Sequence, residues 1–155
     1  MDHKEFLKVF DQDLFVSEFR STAKREVFKE IAECLEKSSR VFEGKIIVDL
    51  LEKREQLGTT AIGKGVAIPH CRSMATDTLT AVVGVSEEGI DFDAPDNQPV
   101  KLIFVILAPP QDVNYLPFLG RLIEFIRDDT IRKRLLRVKS FKGLKKVFTE
   151  YMKNE

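Results

Sequence analysis

The sequence predicts an α/β domain with a central sheet covered by helices on both faces, and three observations carry that prediction. Apolar stripes at helical spacing lie toward both ends of the chain, three β-rich apolar stretches lie between them, and one of these, Val100 to Leu107, barely alternates. A strand reads that way when both of its faces are buried. Helices, then strands, then helices, with no internal repeat and no long Pro/Gly/Ser linker, make residues 1–155 a single domain. A chain of 155 residues can bury a core large enough to be stable unaided.

The elements follow in order. A weak strand is expected near Asp13 to Val16. After the polar pair Ser21-Thr22, the residues Val27, Phe28, Ile31, Ala32 and Leu35 recur at helical spacing, giving a helix over about 23–37. Ile46, Ile47, Leu50 and Leu51 mark a second helix over about 44–57, with Gly58 as its stop. Ala61 to Ile68, Thr78 to Val85 and Val100 to Ala108 read as strands. Three helical stretches close the chain: Leu116, Leu119, Leu122, Ile123 and Ile126; then Ile131, Leu135 and Leu136; then Phe141, Leu144, Phe148, Tyr151 and Met152. The pattern does not give the strand order.

Composition excludes several classes of function. With 43% hydrophobic and 32% charged residues the chain is globular in type and not a disordered tail. Twenty-five Lys and Arg balance 25 Asp and Glu, so there is no bulk electrostatic drive toward nucleic acid or an anionic membrane. The longest apolar run, Leu102 to Ala108, is far short of the roughly 20 residues of a membrane span. The opening Met1-Asp2-His3-Lys4-Glu5 lacks the pattern of a secretory signal, so a cytoplasmic protein is expected. Cys34, Cys71, His3 and His70 are too few and too scattered for a disulfide framework or a zinc site. No metal and no cofactor are expected.

The chemically loaded stretch runs from Arg54 to Cys71. Gly58, Gly63 and Gly65 allow close backbone approach to a ligand, and Val66-Ala67-Ile68 feeds a strand that Pro69 is expected to end. His70 then sits at a strand end, where α/β proteins tend to bind ligands, although a plain loop histidine satisfies the same pattern. Ile46, Leu50 and Arg54 follow one another at i, i+4, which puts the guanidinium on the apolar stripe in the helix's last turn. Such a cation serves an anion site, pairs with a carboxylate or snorkels to solvent. Tyr115 shares a stripe with Leu119, Leu122 and Ile126, as a core tyrosine also would. Cys71 beside His70 makes a poor nucleophile and base pair, because neighbours in extended chain point to opposite sides. The glycines match neither the phosphate-loop spacing nor a dinucleotide fingerprint.

Glu55, six residues, Ile62-Gly63, two residues, then Val66-Ala67-Ile68-Pro69-His70-Cys71 resembles the active-histidine motif of the IIA domains of the fructose/mannitol class in the bacterial phosphoenolpyruvate phosphotransferase system. The segment Gly89-Ile90-Asp91-Phe92-Asp93-Ala94 with Asp96-Asn97-Gln98-Pro99-Val100 looks especially like the nitrogen-regulatory branch, in which the IIA domain stands alone. The resemblance runs over nearly the whole chain. It implies an α/β sandwich around a five-stranded mixed sheet. It also implies a phosphoryl carrier, in which His70 accepts a phosphoryl group from a small HPr-like carrier protein and passes it on or holds it as a signal to regulated target proteins. Arg54 would pair with phosphoryl oxygens, Thr59 and Thr60 would supply hydroxyls, and backbone N–H groups around Gly63 and Gly65 would add donors. The resemblance implies a second histidine at the position that Tyr115 occupies in this chain, and no histidine follows His70. A tyrosine donates one neutral hydrogen bond but cannot become a cation. Two other expectations therefore stand beside the first: an unphosphorylated regulatory binding module on the same fold, and the IIA component of a sugar transporter whose other domains are separate chains.

Overall fold

The computed structural model describes residues 1–153. In chain order the elements are α1 (His3–Lys8), β1 (Phe10–Val16), α2 (Lys24–Lys37), α3 (Gly44–Gln56), β2 (Ala61–Gly63), β3 (Val66–Ala67), β4 (His70–Arg72), β5 (Thr80–Ile90), β6 (Val100–Ala108), α4 (Tyr115–Arg127), α5 (Asp129–Leu135) and α6 (Phe141–Met152). The sheet runs β1-β5-β6-β3-β2, and β4 also pairs with β6. It is mixed: β1 lies parallel to β5, β5 antiparallel to β6, β6 parallel to β3 and β4, and β2 antiparallel to β3.

Strand β6 shows why this sheet has two cores. Leu102, Phe104, Ile106 and Ala108 enter one cluster with residues of α1, α4, α5 and α6. Ile103, Val105 and Leu107 enter the other with residues of α2 and α3. Successive strand residues point to opposite faces, so a strand buried on both must be apolar throughout, as the sequence of β6 predicts. The first core is built around Phe6, whose ring centroid lies 5.3 Å from Phe10, 4.9 Å from Phe118, 5.5 Å from Phe125 and 5.3 Å from Phe148. Phe6 belongs to α1, which the sequence reading lacks. That helix has only six residues and one buried side chain, and a capping box between Asp2 and Glu5 closes its start.

Three strand expectations are corrected. Ala61 to Ile68 is no continuous strand but the hairpin β2–β3. It turns at Gly63, Lys64 and Gly65, all at positive φ (87°, 57° and 86°), and Asp96 accepts the Lys64 N–H at 2.7 Å. The strand expected over Thr78 to Val85 is β5, which runs on beyond Val85 to Ile90 through a register irregularity. Pro69, expected to stop the strand, only interrupts it. Val66 pairs with Leu102, Ala67 with Ile103, His70 with Ile106 and Arg72 with Ala108, one constant register across β3 and β4. The Pro69 carbonyl still accepts the Ile106 N–H at 2.9 Å. The missing proline N–H breaks only one side of the ladder, so six strands occupy five columns.

Candidate functional site

His70 opens β4 beside the break at Pro69 and is half-buried. Its Nδ1 lies 2.7 Å from the Ile68 carbonyl oxygen. A carbonyl only accepts, so Nδ1 carries the proton and the Nε2 lone pair is left bare. Ile68 itself is held through its N–H, which donates to the Thr60 carbonyl at 3.0 Å. The ring borders an open groove of about 420 Å³ shared with Arg54, Thr60, Ile68, Leu119 and Ile123.

Arg54 reaches this groove by a different route from the one expected. The buried face of α3 is Gly44, Ile47, Val48 and Leu51, while Ile46 is 42% exposed. The stripe Ile46–Leu50–Arg54 therefore runs along the flank of the helix. Arg54 is half-buried at the helix end, with Nη1 donating to the Gly58 carbonyl at 2.9 Å. The residue that continues the buried face is Glu55, whose side chain is 5% exposed.

Tyr115 opens α4 with its ring centroid 6.5 Å from that of His70. Burial, with the neighbouring Cys71, pushes its hydroxyl up to about 12, against the opposing charges of Arg72 and Arg54. The phenol is therefore a neutral donor throughout the physiological range. Arg72, two residues after His70 and so on the same side of β4, sits with its guanidinium 4.5 Å from the centre of the Tyr115 ring. Its Nη1 donates to the carbonyls of Pro109 (3.3 Å), Pro110 (2.9 Å) and Asp112 (3.1 Å), tying down the turn that leads into α4. The sequence reading missed Arg72, although its i, i+2 spacing from His70 was the available signal.

The other expected site residues are placed differently. The Thr59 hydroxyl donates to the Phe92 carbonyl and the Thr60 hydroxyl to Glu55. Each has a single proton, so neither is a free donor here; both threonines contribute wall and backbone to the groove. Gly63 and Gly65 belong to the hairpin turn, packed on Asp96 and Leu136. From Leu102 to Ile106 is four residues of β6, which sets that turn about 13 Å along the sheet from His70. The expected glycine N–H cradle is thus not assembled around the imidazole. Burial pushes the Cys71 thiol up to about 11, which suits a packing residue and not a thiolate nucleophile. Among the described residues no group of three or more His, Cys, Asp and Glu side chains is arranged to hold a metal ion, and no helix is long and apolar enough to cross a membrane. A larger hollow of about 530 Å³ beside Asp91, Asp93 and Asn97 has neither His70 nor Arg54 in its lining.

The fold and the site together define an α/β domain that presents one imidazole, with Nε2 bare, in an open groove beside an arginine. Residues 8–151 match the family model described as "Phosphoenolpyruvate-dependent sugar phosphotransferase system, EIIA 2", and the chain belongs to that family. It is 38% identical over 92 residues to a nitrogen regulatory protein of Bradyrhizobium diazoefficiens, spanning 59% of this chain and 60% of that protein. It is 35% identical over 114 residues to a fructose-specific EIIA component of Haloferax volcanii, spanning 73% of this chain and 74% of the relative. Among solved structures, the nitrogen regulatory protein IIA-Ntr of Neisseria meningitidis superposes with a TM-score of 0.84 at 30% identity, covering 93% of this chain and 99% of the other.

Proposed function

We propose that this protein is a cytoplasmic phosphoryl carrier whose acceptor is Nε2 of His70, loaded by an HPr-like carrier protein and controlling regulated target proteins by its phosphorylation state. The observation that carries the reading is the Nδ1 contact to the Ile68 carbonyl, which leaves Nε2 as the nucleophile in a groove bordered by Arg54. In the transfer, the Nε2 lone pair forms a bond to phosphorus. The bond from phosphorus to the donor's ring nitrogen breaks, and its electron pair stays on that nitrogen. Positive charge develops on the His70 ring, and the Nδ1–H bond to the carbonyl strengthens as it does so. Arg54 would meet the phosphoryl oxygens, and Tyr115 would offer one neutral hydrogen bond. Ile62 and Leu116, which line the groove, are 45% and 67% exposed, an apolar rim suited to a protein donor.

Incubation with phosphoenolpyruvate, the first enzyme of the system and an HPr-like carrier should add one phosphoryl group, acid-labile and base-stable as a phosphoramidate is. The His70→Ala variant should add none. Uptake that persists in that variant overturns the reading. The likeness to a fructose-specific component supports a second reading, in which the phosphoryl group moves on to a sugar-specific IIB domain. Rapid transfer from the phosphorylated protein to an isolated IIB domain of the fructose or mannitol class would select it.

A further inference from the structure

Glu55 opens the histidine motif, yet it turns away from the groove. Its side chain is 5% exposed and its carboxylate lies 3.0 Å from Lys24 Nζ at the start of α2. It accepts the Thr60 N–H at 3.1 and 3.3 Å and the Thr60 hydroxyl as well. Lys24 also reaches the Phe92 carbonyl at 3.5 Å, the same oxygen that accepts from Thr59. The two charges therefore grip both threonines of the turn between α3 and β2. A buried ion pair is a poor means of stabilising a fold, since apolar residues of similar size do as well or better. What it provides here is a fixed, charged acceptor at one point, and charge-assisted bonds are roughly twice as strong as neutral ones.

We propose that Glu55, held by Lys24, is the positioning residue that keeps His70 in its Nδ1–H tautomer. The inference deepens the phosphocarrier reading and rests on it. The connection is a continuous series of contacts. Glu55 fixes the Thr60 main chain; the Thr60 carbonyl accepts the Ile68 N–H at 3.0 Å; and the Ile68 carbonyl accepts from His70 Nδ1 at 2.7 Å. Ile68 and Pro69 lie between β3 and β4, where the proline has no N–H to anchor its own side. Thr60 thus holds Ile68 through its N–H, one Cα away from the carbonyl that faces His70. If Thr60 shifts, Ile68 moves with it and its carbonyl leaves the line of Nδ1; the ring is then free to place its proton on Nε2, which removes the lone pair that attacks phosphorus.

The test reads the tautomer directly, by long-range nitrogen-15 NMR of the unphosphorylated protein at a pH where the ring is neutral, and the rate of phosphoryl uptake separately. Wild type should show the Nδ1–H form alone. Glu55→Gln, which keeps the shape but removes the charge, should show both tautomers and take up phosphoryl groups about tenfold more slowly, as expected for one charge-assisted bond lost. The double variant Lys24→Met/Glu55→Leu replaces the ion pair with apolar bulk, leaves no orphan charge, and should behave the same way while staying folded. A single Nδ1–H tautomer and the wild-type rate in whichever of these variants folds overturns the proposal and makes the pair a core contact only. The tautomer needs no donor protein. If wild type takes up no phosphoryl group, the carrier reading fails while the NMR result still decides the role of Glu55.

Discussion

The rings of His70 and Tyr115 face each other across the junction of β4 and α4, their centroids 6.5 Å apart and their planes inclined by 52°. The gap is at the outer limit of ring contact, so the tyrosine is adjacent to the imidazole without being stacked on it. Its place is the one at which the sequence resemblance leads one to expect a second histidine. A phosphoryl group on Nε2 would thus have Arg54 as a cation nearby and a phenol where another cation could form.

Tyr115→Phe keeps the ring and removes only the hydroxyl. We expect it to slow phosphoryl uptake by no more than about tenfold, the worth of one neutral hydrogen bond of about 0.5–1.5 kcal/mol. Tyr115→His should change the uptake rate or the lifetime of the phosphorylated form, since a potential cation then meets the dianion. Stopped uptake assays on proteins matched for thermal stability check both; unchanged kinetics in both variants would make Tyr115 a packing residue.

Arg54→Ala should slow transfer by about ten- to a hundredfold, as expected for loss of a bond to a charged group worth about 1.5–3 kcal/mol and felt in the transition state. Arg54→Lys should recover only part of this, because a point charge replaces a planar fork. A folded Arg54→Ala protein that is phosphorylated at the normal rate would reduce the guanidinium to its bond with Gly58.

Arg72→Ala removes a cation from three carbonyls and from the face of Tyr115. We expect denaturant unfolding to show a loss of about 1.5–3 kcal/mol. Because the Arg72 charge holds the Tyr115 hydroxyl down, the variant's tyrosine should also titrate at higher pH, which ultraviolet absorbance reports. A titration that moves down instead would show that the turn had opened and exposed the ring.

Alkaline stability has a definite sign. Both Cys71, raised from 9.0 to about 11, and Tyr115, raised from 10.0 to about 12, hold their protons more tightly folded than unfolded. Their contribution is complete below the unfolded values and is lost as pH rises, over about 9 to 11 for the thiol and 10 to 12 for the phenol. The Cys71→Ala/Tyr115→Phe protein should therefore lose less stability than wild type between those limits. Parallel unfolding curves across that window would contradict the assignment.

What the sequence discloses and conceals follows from the range of the contacts involved. The two-sided burial of β6 is written in its own residues, from Val100 to Ala108, and so are the stripes of α2, α4 and α6. Helix α1 escapes notice because six residues with one buried phenylalanine carry no period. The hairpin at Gly63-Lys64-Gly65 looks like one strand because the residues on either side are mostly apolar, and Pro69 hides a register that only the pairing with β6 reveals. At the site, His70 and Arg54 stand out locally by type and spacing. The roles of Arg72 and Glu55 depend on partners far along the chain: the carbonyls from Pro109 to Asp112, and Lys24, 31 residues away. No local pattern contains them. The direction of Arg54 is misread by one position of helix rotation, because Ile46 is apolar yet exposed.

The most direct test of the central claim is the nitrogen-15 spectrum of the His70 ring after phosphorylation by an HPr-like donor. The account predicts phosphorus on Nε2 and a proton retained on Nδ1, bonded to the Ile68 carbonyl. Phosphorus on Nδ1, or an unmodified His70 ring in a protein that has gained a phosphoryl group elsewhere, would contradict it.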